Sequence, residues 1–86
     1  MAREIWKYEL PDRITEIPMP RGARVLTAQN QLGKMTLWAE VDTDMPRDDR
    51  RFCVVGTGQQ FPDTALTEYV ATVQFGSLVW HVYEVK

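Results

Sequence analysis

The amino-acid sequence predicts an all-β fold, a small antiparallel sandwich or partly open barrel of about six short strands with minimal helix. Three observations carry that expectation. Runs rich in β-branched and aromatic residues recur between turn signals at spacings of roughly 8–15 residues. No stretch repeats its apolar residues at helical spacing over a useful length. Tyr69 to Lys86 reads as two strands joined at Gly76-Ser77, and the second, from Leu78 to Val85, is apolar on both faces. A strand with one wet face alternates, so this one must bury its second face under another sheet, a loop or a second copy of the chain.

The elements follow in order. Glu4 to Leu10 alternates, with Trp6, Tyr8 and Leu10 on one face and Lys7 and Glu9 on the other, and ends at Pro11-Asp12. Ile14 to Pro20 contains Pro18 and Pro20, which donate no ladder hydrogen bond, so it is an edge strand or an extended crossing that turns at Pro20-Arg21-Gly22. Arg24 to Gln29 and Met35 to Val41 form a hairpin around Asn30–Lys34. Met35, Leu37, Ala39 and Val41 share one face, which leaves Trp38 opposite unless Gly33 marks a bulge that re-aims it. Thr43 to Arg50 reads as a solvated loop or single helical turn, and Arg51 to Val55 as a strand. Gly56 to Pro62 is irregular, and Pro62 to Leu66 is a candidate helical turn capped by Asp63. The predicted core is Trp6, Tyr8, Leu26, Leu37, Val41, Phe52, Val54, Val73, Phe75, Trp80 and Val82, with Leu78 on the core face of the last strand.

With 86 residues, 44% of them hydrophobic and 26% charged, the chain forms one domain, residues 1–86, near the small end of what folds without disulfides or metal. The net charge of −2 provides no basic stripe for duplex nucleic acid or an anionic membrane. Cys53 is the only cysteine, and it reads as a small strand residue in a reducing compartment. Neither a signal peptide nor a spanning segment is evident, so the cytoplasm of the host is the expected location.

Four constellations hold candidate chemistry. Gly56-Thr57-Gly58 follows a strand, and its amides suit a phosphate approached by Arg50 and Arg51, although three residues make neither a dinucleotide fingerprint nor a P-loop. Trp38, facing outward, is the tryptophan available to stack a base. His81 lies with Val79 and Tyr83 on the second face of the last strand; it reads as an interface or hydrogen-bonded histidine, and a role as base requires proximity to a nucleophile such as Cys53. Asp42, Asp44, Asp48 and Asp49 miss the calcium-loop spacing and alternate with arginines, so they read as a solvated, partly self-paired loop. No cofactor and no metal site is expected.

Ile5-Trp6-Lys7-Tyr8, Leu37-Trp38-Ala39-Glu40-Val41-Asp42, Arg51-Phe52 leading to Gly56-Thr57-Gly58, and Leu78-Val79-Trp80-His81-Val82-Tyr83 form an ordered set spanning nearly the whole chain. The set resembles a family of short, uncharacterised proteins of tailed phages and prophages. The resemblance implies a phage protein in a bacterial cytoplasm and carries no catalytic residues. In that setting the expected function is non-enzymatic: a self-associating domain, meeting itself through Val79, His81 and Tyr83, that binds and modulates or inhibits a host factor, such as one of defence. The alternative is a sponge for a phosphate-bearing nucleotide signal held by Trp38, Arg50, Arg51, Gly56, Thr57 and Gly58. A hydrolase using His81 ranks last.

Overall fold

Seven strands form the regular structure of a computed structural model that describes residues 1–62 and 65–86: β1 (Arg3–Glu9), β2 (Ile14–Pro20), β3 (Arg24–Gln31), β4 (Lys34–Asp42), β5 (Arg47–Gly56), β6 (Thr67–Phe75) and β7 (Leu78–Val85). They sort into a three-stranded sheet, β1-β4-β3, and a four-stranded sheet, β2-β5-β7-β6, antiparallel throughout. Phe52, Met19, Leu37, Val41 and Val82 are fully buried between them. The chain is therefore an all-β antiparallel sandwich, with one strand more than the sequence suggested. The expected helical cap at Asp63 lies outside the described residues.

Local chemistry explains each element. Ile14–Pro20 is a strand because it pairs only with β5, and an edge tolerates the missing N–H groups of Pro18 and Pro20. Leu32 and Gly33 both have positive φ, 53° and 83°, as a two-residue hairpin turn requires, and the Gly33 amide donates to Asn30 Oδ1 at 2.8 Å. Gly33 is thus a turn residue and not a bulge, and Trp38 keeps its outward position.

The bulge lies on β3 instead, between Val25 and Thr27. It leaves Leu26 substantially exposed, which removes that residue from the predicted core. A second bulge, between Tyr69 and Ala71, sends these two residues to opposite faces of β6 where strict alternation would keep them together. Leu78, assigned to the core face, is exposed because it adjoins the Gly76-Ser77 turn.

The expected loop over Thr43–Arg50 is shorter than its charges implied. Arg47 to Arg50 lie in β5, paired with Ile17–Pro20. Arg50 points inward, on the same face as Phe52 and Val54. Its Nε donates to Glu84 Oε2 at 2.7 Å, Nη2 to Glu84 Oε1 at 2.8 Å, and Nη1 to the Ala23 carbonyl. This fork ties β5 to β7 and to the chain entering β3. Tyr8 reaches the same interior, and its hydroxyl is buried without a partner among the described residues. Burial raises its pKa above the ordinary 10.0, and the charges of Arg47 and Arg50 oppose that rise.

Candidate functional site

The outer face of β5, β7 and β6 collects the residues that sequence reasoning set aside for a partner. Alternation along β7 puts Val79, His81, Tyr83 and Val85 there, beside Cys53 and Val55 of β5. Cys53 and Val55 are nonetheless buried. The segment after β5 folds back over this face and covers part of it: the Phe61 ring meets Tyr83 edge-on at 5.0 Å, and Arg13 Nη2 donates to the Gln60 carbonyl. Of the three covers that a two-faced apolar strand permits, the chain itself supplies a loop.

Tyr83 is flanked on its other side by Tyr69, also edge-to-face, at 5.5 Å. His81 is held at both nitrogens, Nε2 2.9 Å from Thr57 Oγ1 and Nδ1 3.1 Å from Thr72 Oγ1. The Tyr69 hydroxyl closes the row at 2.8 Å from Thr72 Oγ1. Thr57–His81 separation is that of a nucleophile and its base. The orienting group, however, is a hydroxyl and not a carboxylate, and none of the three clefts described below includes His81. The row therefore fixes the imidazole in an aromatic, hydroxyl-studded surface.

The other candidates are dispersed. Arg50 and Arg51 line one cleft with Glu16, Glu84 and Lys86; Gly56 and Thr57 line another with Gln59, Leu78 and Trp80. Five steps of extended strand separate Arg51 from Gly56, roughly 17 Å, too far to grip one phosphate. Arg50 is committed to Glu84, and Arg51 points to the opposite face, where it pairs with Glu16 at 3.4 Å. Gly58 has a positive φ of 86° and serves as the turn beyond β5. Trp38 stands on the outer face of the other sheet, half-buried between its register neighbours Lys7 and Thr27. The acidic residues diverge too: Asp42 Oδ1 accepts from the Ala2 and Asp44 amides, and Asp48 pairs with Arg21 at 3.0 Å. Among the described residues no three His, Cys, Asp or Glu side chains are grouped to hold a metal, and no helix is long and apolar enough to cross a membrane.

A family described as "Domain of unknown function (DUF7352)" matches residues 1–86. The chain belongs to this family. Comparison with curated proteins and with solved structures finds no match to either. For this DUF7352 member the functional argument accordingly rests on its own geometry.

Sequence reasoning missed Phe61, Tyr69, Thr57 and Thr72 as neighbours of the histidine face. Tyr69 and Thr72 are an odd number of residues apart, so only the unmarked bulge brings both outward. It also missed an apolar cleft of about 370 Å³ lined by Leu10, Met35, Val54, Phe75 and Trp80.

Gly56 ends β5 opposite Trp80 of β7. A Cβ there would stand 2.9 Å from Gln59 Cδ and 3.1 Å from Trp80 Cζ3, and Gln59 can yield only by releasing the Gly56 amide from its Oε1. Gly56→Ala is expected to cost about 1–3 kcal/mol through this overpacking. Urea unfolding should show a lower midpoint at unchanged slope.

Proposed function

We propose that this chain is a small non-enzymatic binding protein of phage type, acting in the host cytoplasm, that self-associates and presents the outer face of β5, β7 and β6 to a host protein which it modulates or inhibits. The observation that carries the reading is the composition of that surface: Tyr69 is 57% exposed beside Tyr83, Phe61 and the hydroxyl-bracketed His81, and Leu78, 58% exposed, lies at the end of the same strand. Tyrosines with an apolar body and a polar tip, held rigid by neighbours, are the side chains that anchor protein interfaces. The phage resemblance supports the setting, and the titratable groups of the cleft lined by Arg50, Arg51, Glu16, Glu84 and Lys86 are tied to one another in ion pairs, which favours binding over catalysis. The nucleotide-sponge alternative loses geometric support because its arginines and its glycine turn line separate clefts.

The test is capture from a lysate of the bacterial host with purified wild type, Tyr69→Arg, Leu78→Arg and, as a control on the opposite sheet, Trp38→Arg. The wild type and the control are expected to retain the same partner. Tyr69→Arg on the outer face of the four-stranded sheet and Leu78→Arg at the exposed end of β7 should each weaken capture by roughly 30-fold, the effect of losing one interface anchor. Equal capture by all four proteins would refute the assignment of the surface.

A further inference from the structure

Sheet edges are where β proteins meet other copies of themselves, and most are blunted by prolines, bulges or coverings. Three of the four edges here are treated in that way. β2 carries Pro18 and Pro20. β3 and β6 are each interrupted by a bulge, and Asn30 Nδ2 on β3 reaches the Gln74 carbonyl of β6. β1 differs: it pairs with β4 in unbroken register from Arg3 to Glu9, it contains neither proline nor glycine, and Ile5 on it is 62% exposed.

The hydrogen bonds of β1 show which of its backbone groups remain available. Thr43 N–H donates to the Ala2 carbonyl and Leu10 N–H to the Met35 carbonyl, so even-numbered residues bond to β4. Alternation then turns the amides and carbonyls of Arg3, Ile5, Lys7 and Glu9 toward the open edge.

We infer that two copies of the chain pair antiparallel through β1, Arg3 opposite Glu9 and Ile5 opposite Lys7 about a two-fold axis at Trp6. Charge selects this register. A shift of two residues in one direction sets Arg3 against Lys7, and a shift of two in the other sets Lys7 against Lys7 and Ile5 against Glu9. Only the Trp6-centred register places opposite charges together twice and lays Ile5 along the Lys7 stem. Glu9 has no ion-pair partner among the described residues, and Arg3 is held only by a long, exposed contact of 3.8 Å to Glu40. Pairing forms up to about eight ladder hydrogen bonds and merges two three-stranded sheets into one of six. The two Trp6 rings meet at the axis, each already beneath an Arg47 guanidinium at 5.5 Å.

This inference rests on the reading of the protein as a self-associating binding module; it assigns the self-contact to β1 and leaves the β7 face to the partner. Light scattering coupled to size-exclusion chromatography at micromolar concentration tests it on the wild type, Ile5→Pro, Glu9→Arg and the double variant Arg3→Glu/Glu9→Arg. Proline at position 5 removes an outward amide and leaves the β4 ladder intact, so thermal unfolding should barely change. The wild type is expected to run as a dimer and Ile5→Pro as a monomer. Glu9→Arg should weaken the dimer roughly tenfold by placing arginines in opposition, and the double variant should restore it. A dimer that persists in Ile5→Pro but is lost in Tyr69→Arg overturns the inference alone and places self-contact on the other sheet. A monomeric wild type overturns it together with the self-association half of the proposed function, while capture of a host protein would still stand or fall separately.

Discussion

Glu84→Ala is expected to destabilise the domain by about 3 kcal/mol, because it leaves the Arg50 guanidinium in the sandwich without its carboxylate. The pair is well placed for so large an effect: its side chains are 21% and 10% exposed, and the contact is a two-point fork at 2.7 and 2.8 Å. Replacing both partners with apolar residues of similar volume, Arg50→Met with Glu84→Leu, should recover most of the loss. Exposed pairs such as Arg51–Glu16 should by contrast contribute little. The same fork sets an acid limit. Burial pushes the Glu84 carboxyl up, but the Arg50 hydrogen bonds and the charges of Arg50 and Lys86 outweigh burial and hold it below its ordinary 4.5. A carboxyl depressed in the folded state contributes stability above its unfolded pKa and loses it as pH falls through the folded one. Stability measured by urea unfolding should therefore decline below about pH 5, and Glu84→Gln should flatten that decline while lowering stability near neutrality.

Much of this architecture is legible in the chain because alternation is a local signal. The faces of β1, β4 and β7 follow from it, including the outward Trp38 and the separation of Trp80 and Val82 from Val79, His81 and Tyr83. Long-range pairing is not local, and that is where legibility stops. Asp48, Asp49 and Arg50 look solvated in the sequence because nothing nearby announces Glu84, 34 residues away, as the counter-charge that lets Arg50 turn inward. The bulges at Leu26 and Val70 carry no glycine or proline to mark them, and they decide that Leu26 is exposed and Tyr69 faces outward. The proposed phosphate cradle separates for a reason that extended geometry contains: residues at opposite ends of one strand do not converge.

Phe52→Ala should bring the domain to the edge of unfolding. The ring is fully buried on the inner face of β5, between register neighbours Thr15 of β2 and Glu84 of β7, and rigid sheets on both sides leave little room for collapse into the void. Removing such a ring costs about 3–5 kcal/mol. An 86-residue domain has only about 4–13 kcal/mol in total. Phe61→Ala offers the informative contrast. Its ring is 45% exposed and covers the outer face against Tyr83, so its loss should cost about 1 kcal/mol globally while opening the loop locally. Cys53, fully buried on that outer face, reports the difference without any added label site. In native buffer a thiol reagent should modify Cys53 in Phe61→Ala at least about tenfold faster than in the wild type, through loop opening that leaves the inner core folded. In Phe52→Ala the thiol should react at the rate of global unfolding and track the urea midpoint. If Cys53 stays equally protected in Phe61→Ala, the face is covered by something other than this loop, and the aromatic surface offered to a partner would have to be redrawn.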